Sequence, residues 1–133
     1  RPSIMANGTI AFDTLQTSGQ ITGTAKSVDT DFVVNGSAKM FNAARYSSGT
    51  PSATKSLNVS SMTDSNTGDS LTNLSSAMND TNSATNVSNN TSANRRGVFS
   101  LPSTTSAVRH VAANSSDASV DDDFTLVLFG DLA

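Results

Sequence analysis

The sequence predicts an all-β protein: an antiparallel, jelly-roll-like β-sandwich preceded by an extended N-terminal arm. Three observations point there. Ser, Thr and Asn supply 53 of the 133 residues, while Glu is absent and Lys occurs only three times. The long straight-chain residues that favour helix surfaces are therefore nearly missing. Apolar residues alternate with polar ones in several short segments, the period of a half-buried strand. Turn residues separate those segments every 8–12 positions, as in sandwiches and barrels.

The elements follow in order. Arg1 to Ile4 precede Met5, so the chain either carries residues ahead of a start position or continues a longer protein. Neither the charge nor the apolar content of this start matches a signal peptide. Residues 5–38 are paced by Gly8, Gly19, Gly23 and Gly36, with short apolar pieces at 10–12, 20–22 and 32–34. Asn7-Gly8 and Asn35-Gly36 are turn signals, since both residue types accept positive φ. Pieces this short cannot build a core, so an extended arm or neck over 1–38 is expected, followed by a β-sandwich domain over 39–133.

Within the sandwich, residues 39–46 are expected as a strand with Met40, Phe41 and Tyr46, broken by Ser47-Ser48-Gly49-Thr50-Pro51. Ser56-Leu57-Asn58-Val59-Ser60 alternates with period two and is expected as a strand. Residues 64–69 read as a turn, and Leu71 and Leu74 lie in an ambiguous stretch. Residues 79–94 hold one large apolar residue, Val87, and allow one strand over 84–88 between long loops. Residues 97–101 form a strand that should stop at Pro102. The strand over 106–112 sets Val108 and His110 on one face and Ala107, Arg109 and Val111 on the other. Residues 114–123 are a polar loop. Phe124-Thr125-Leu126-Val127-Leu128-Phe129 is the strongest strand, apolar on both faces and therefore expected to be buried on both, centrally or at an oligomer interface.

Composition also excludes functions. Without Cys there is no disulfide and no thiolate metal site. No apolar run approaches the ~18 residues of a membrane-spanning helix. A net charge of −3, with Arg95-Arg96 as the sole basic pair, is the wrong footprint for nucleic acid. His110 is the only histidine, and no GxSxG elbow accompanies it. As a strand residue it is expected to be a satisfied core ring rather than a general base. Asp117 and Asp121-Asp122-Asp123, with Asn114, are the densest oxygen donors, but no spacing matches a calcium loop. Asp29 and Asp31 flank Thr30 and are weaker still. Aromatic platforms for sugar rings are few. No catalytic, cofactor-binding or metal residue is therefore assigned, and no enzyme activity is expected. Nine Asn-X-Ser/Thr sequons, beginning at Asn7, Asn35 and Asn58, follow from a chain rich in these residues.

DFVVNGSAKMF (31–41), LNVSSMTDSNTGD (57–69), SAMNDTN (76–82) and LVLFGD (126–131) stand in a familiar order. Over residues 8–133 the chain resembles the C-terminal domains of tail-fibre-type virion proteins of marine tailed bacteriophages, such as those of cyanobacteria. Ser70 and Ser83 stand where that family usually has aromatics. The resemblance implies a structural role on the exterior of a phage particle, as a trimeric tail fibre or other appendage. The implied partners are two further copies, other virion proteins and a host surface receptor or glycan. A bacterial surface adhesin or glycan-binding β module is the alternative. An apolar content of only 27 Ile, Leu, Val and Phe agrees with a core completed by neighbouring subunits. In that arrangement the arm, about residues 8–34, packs on other subunits. The final strand lines the shared core through Phe124, Leu126 and Leu128, or through Val127 and Phe129.

Overall fold

A computed structural model describes residues 19–22, 27–90 and 95–133. Among the described residues, ten strands and one short helix follow one another: β1 (Gln20–Thr22), β2 (Ser27–Asp29), α1 (Thr30–Gly36), β3 (Ala38–Ser47), β4 (Thr50–Leu57), β5 (Val59–Asn66), β6 (Asp69–Leu74), β7 (Ala84–Asn89), β8 (Arg95–Thr104), β9 (Ala107–Asn114) and β10 (Phe124–Phe129). β1 and β2 form a small antiparallel pair. The rest make two four-stranded antiparallel sheets, ordered β4-β3-β10-β7 and β5-β6-β9-β8. The all-β sandwich expected from composition is what forms.

The interior follows the period-two pattern of its central strands. Met40 and Ala44 of β3 and Phe124, Leu126 and Leu128 of β10 point inward from one sheet, each fully buried. Val108 and Ala112 of β9 and Leu74 of β6 meet them from the other. Tyr46, Val59, Met62 and Val87 close the sides. Burying each large apolar side chain contributes about 1.5–3 kcal/mol. That small set is what a chain with so little apolar residue can field, and Asn42, Ser70, Thr72 and His110 are buried alongside it.

Several boundaries differ from the sequence expectation. The alternating segment 56–60 is not one strand. Asn58 adopts φ 56°, and the chain passes there from one sheet into the other. The Asn58 side chain secures the corner by accepting from Ser76 N at 2.7 Å and donating to Ser76 O at 3.0 Å. Leu57 ends β4 as an exposed residue while Val59 opens β5 packed against the core, so two apolar residues that look like one face of one strand belong to two sheets. The 47–51 break shrinks to the Ser48-Gly49 turn of a hairpin, with both residues at positive φ. Pro51 lies inside β4 and Pro102 inside β8, because both are outermost strands where a missing N–H can face away from the ladder. The ambiguous stretch around Leu71 and Leu74 is β6, an inner strand.

β10 is central, between β3 and β7, but it is buried on one face only. Thr125, Val127 and Phe129 on its other face are half-buried. The arm also differs where it is described. Phe32, Val33 and Val34 belong to α1 rather than to an extended segment, with Thr30-Asp31 at its start and Asn35-Gly36 at its end, residue types that open and close helices. Thr30 anchors α1 to Gly19, its N–H and hydroxyl both donating to Gly19 O. The apolar piece at 10–12 and the Asn7-Gly8 turn lie outside the described residues.

Candidate functional site

His110 sits on β9 with its side chain fully buried. Its ring stacks on Phe124, centroids 3.7 Å apart and planes within 13°. Nε2 lies 3.3 Å from Asn89 Oδ1. Asn89 in turn donates Nδ2 to Asp122 Oδ2 at 2.8 Å. A carbonyl oxygen can only accept, so Nε2 carries the proton and Nδ1 presents a lone pair. Burial pushes the imidazole down to about 4, against the weaker opposing pull of Asp122 and Asp69. A His–Asn–Asp chain superficially matches a catalytic relay. Here it has no exposed end, and no ligand-sized pocket opens among the described residues. The ring is a neutral core residue, stacked on Phe124 and hydrogen-bonded to Asn89.

The acidic run is divided among three elements. Asp121 accepts from Gly68 N at 2.7 Å, at the β5–β6 turn. Asp122 turns inward to Asn89 on β7. Asp123 accepts from Tyr46 N at 2.8 Å and from Arg45 Nη1 at 3.0 Å, on β3. Three successive carboxylates thus strap the loop before β10 to three separate strands or turns. No group of three or more His or carboxylate residues converges on a common point among the described residues. Gly68 is the narrow place beneath this strap. Its φ is +71°, and a Cβ there would stand 2.5 Å from Val120 N and 2.7 Å from Ala112 O.

The remaining candidates are placed elsewhere. Asn114 holds its own loop by accepting from Ser116 N and Ala118 N, and Asp117 occupies the positive-φ position of that turn. Asp29 ends β2. The side chains of Asp31, Arg95 and Arg96 lie outside the described residues. Asp69 forms a two-pronged pair with Arg109 across β6 and β9, which holds the carboxylate below its usual range and the guanidinium above its own.

Among the described residues the outer face of the β10 sheet carries a partly covered apolar row, and Phe99 and Leu101 of β8 are exposed on the other sheet. Leu57 of β4, Phe41 of β3 and Val127 of β10 are register partners across three strands. They form an apolar row with Phe129 two positions further along β10. Leu57 is 49% exposed, and Phe41, Val127 and Phe129 are half-buried. Close to the start of β3, α1 shows Phe32, Val33 and Val34 with exposures of 74%, 46% and 51%. Sequence reasoning marked Val127 and Phe129 through the two-faced pattern of β10. It missed Leu57, whose neighbourhood with Phe41 exists only through the β3–β4 register. Ser70 is fully buried beside His110. Ser83 is half-buried near the last strand, against Gly130, where a Cβ would meet its Oγ at 2.9 Å.

No protein-family model, curated protein or solved structure matches the chain.

Proposed function

We propose that the chain is a structural module of a bacteriophage virion, a homotrimeric tail-fibre or other exterior appendage that assembles with the particle and contacts the host surface. The observation that carries this reading is the apolar row Leu57–Phe41–Val127 with Phe129 on the outer face of one sheet, exposed at Leu57 and half-buried at the other three. Phe124, Leu126 and Leu128 are consumed by the protomer's own core. Of the two faces of the last strand, only Val127 and Phe129 remain to line a core shared between subunits. A contiguous apolar row only partly covered by its own chain, in a protein that also exposes the apolar residues of α1, is the kind of surface that marks an interaction site. A three-fold assembly presents the same row three times.

Support for the virion setting comes from the motifs at 31–41, 57–69, 76–82 and 126–131, which resemble phage fibre domains. A surface of hydroxyls and amides with few charges suits an exterior protein. In this reading the chain has no catalytic task, and His110 serves the core.

Sedimentation velocity at micromolar concentration tests the assembly. A species of about three times the 13.7 kDa chain is expected, reduced to the single chain by Val127→Asp. A wild-type chain that stays monomeric at tens of micromolar overturns it. Gold-labelled antibody against the chain should decorate the outside of intact particles, and absence of the chain from purified particles refutes the virion role.

A further inference from the structure

Two registers define a gap between the sheets. Ala44 is the partner of Phe124 within one sheet, and Ser70 is the partner of His110 within the other. Phe124 and His110 stack face to face across the sandwich, so Ala44 stands over Ser70. Facing sheets lie about 10 Å apart. Two rings fill that distance, but an alanine over a serine does not. Both small residues are fully buried.

The walls of this gap are polar. Ser70 Oγ, Tyr46 Oη and His110 Nδ1 are all buried, and none makes a hydrogen bond of normal geometry to another protein atom. Ser70 is near enough to act on the Tyr46 hydroxyl as a hydrogen-bonding neighbour and lower its pKa, but burial outweighs it and raises the value above the ordinary one. Nδ1 is across the ring from the Nε2 edge that meets β7 through Asn89, and so faces the β6 side, where Ser70 is. One rung along, Asn42 donates to Thr72 Oγ1 at 2.9 Å while its Oδ1 is also without a partner. The set holds two hydroxyls that can donate and two acceptors, Nδ1 and Oδ1, that need donors. Leaving such groups dry forfeits the hydrogen bonds that water gives them in the unfolded chain.

We propose that the gap between Ala44 and Ser70 is an internal hydration site. At least one long-lived water donates to His110 Nδ1 and accepts from the hydroxyl of Ser70 or Tyr46. Its second hydrogen is directed toward Asn42 Oδ1. A buried water normally makes two to four such bonds, and this lining provides them. The water completes a core that lacks the apolar volume to close itself, and it holds the imidazole as the neutral Nε2–H form. Hydration of the core requires neither trimer formation nor a virion role.

Oxygen-17 magnetic relaxation dispersion, which counts waters held for longer than nanoseconds, tests this on the whole chain. Ser70→Val fills the gap and removes a hydroxyl, and should lower the count by at least one. Tyr46→Phe removes one partner and keeps the fold if Ser70→Val does not. It should shorten the water's residence roughly tenfold, the worth of one hydrogen bond. Water-to-protein cross-relaxation at the Tyr46 and Ser70 protons should accompany the wild-type signal. Equal counts in wild type and Ser70→Val, together with unchanged residence in Tyr46→Phe, overturn the proposal. A crystal structure with Tyr46 bonded directly to Ser70 and no density between them overturns it as well.

Discussion

Acid should weaken this protein through His110, and the size of the effect follows from where the ring sits. In the unfolded chain the imidazole titrates at 6.5, while burial in the sandwich lowers it to about 4. Between those values the unfolded state binds a proton that the native state does not. Stability therefore rises with pH across this window and falls on acidification. The contribution is fully present above 6.5 and is lost as the pH drops toward 4. At 1.36 kcal/mol per pH unit, moving from pH 7.5 to 4.5 should remove about 2.5 kcal/mol. That is a large share of the ~5–15 kcal/mol that holds an ordinary domain together. His110→Gln is the informative variant. Its amide donates to Asn89 as Nε2 does, but it cannot titrate. Losing the stack on Phe124 should cost about 0.5–1.5 kcal/mol at pH 7.5. Urea denaturation of both proteins at fixed concentration, from pH 7.5 to 4.5, should give a sloping line for the wild type and a much flatter one for the variant. Parallel lines would show that the ring is not held neutral by burial and would refute the reasoning. The Asp69 carboxylate, lowered by Arg109, weakens the fold only at still lower pH, so it does not blur this window.

Other substitutions test other parts of the structure. Leu126→Ala removes a fully buried side chain from the middle of β10 and should cost about 2–5 kcal/mol by denaturation. Gly68→Ala puts a Cβ 2.5 Å from Val120 N at a positive φ; a loss of at least about 2 kcal/mol is expected, visible as a lower Tm. Asp123→Ala frees Tyr46 N and Arg45 and should cost about 1–3 kcal/mol, with the strap before β10 exchanging amide hydrogens faster. Deleting residues 1–34 should weaken the proposed trimer in sedimentation, and an unchanged assembly and Tm would remove the arm from the proposed interface.

What the sequence determined by itself was the class of fold and the faces of its best strands. Missing Glu, abundant Ser and Thr, and period-two segments suffice for that, because they are local preferences. Phe124, Leu126 and Leu128 were legible as one face, and Val108 with His110 as another, since alternation along one strand needs no partner. Tertiary structure decided everything that depends on which strands lie side by side. The Asn58 corner splits the alternating run at 56–60, because local spacing cannot show that Leu57 and Val59 lie in different sheets, one exposed and the other against the core. The tolerance of Pro51 and Pro102 depends on edge position, which no residue announces. The three aspartates before β10 read as a cluster in sequence, yet successive residues of an irregular strap point apart, and each carboxylate found a different strand. The stack of His110 on Phe124, and the small-over-small meeting of Ala44 and Ser70 beside it, arise from packing one sheet on another. Those contacts join residues many positions apart, and only the folded arrangement brings them together.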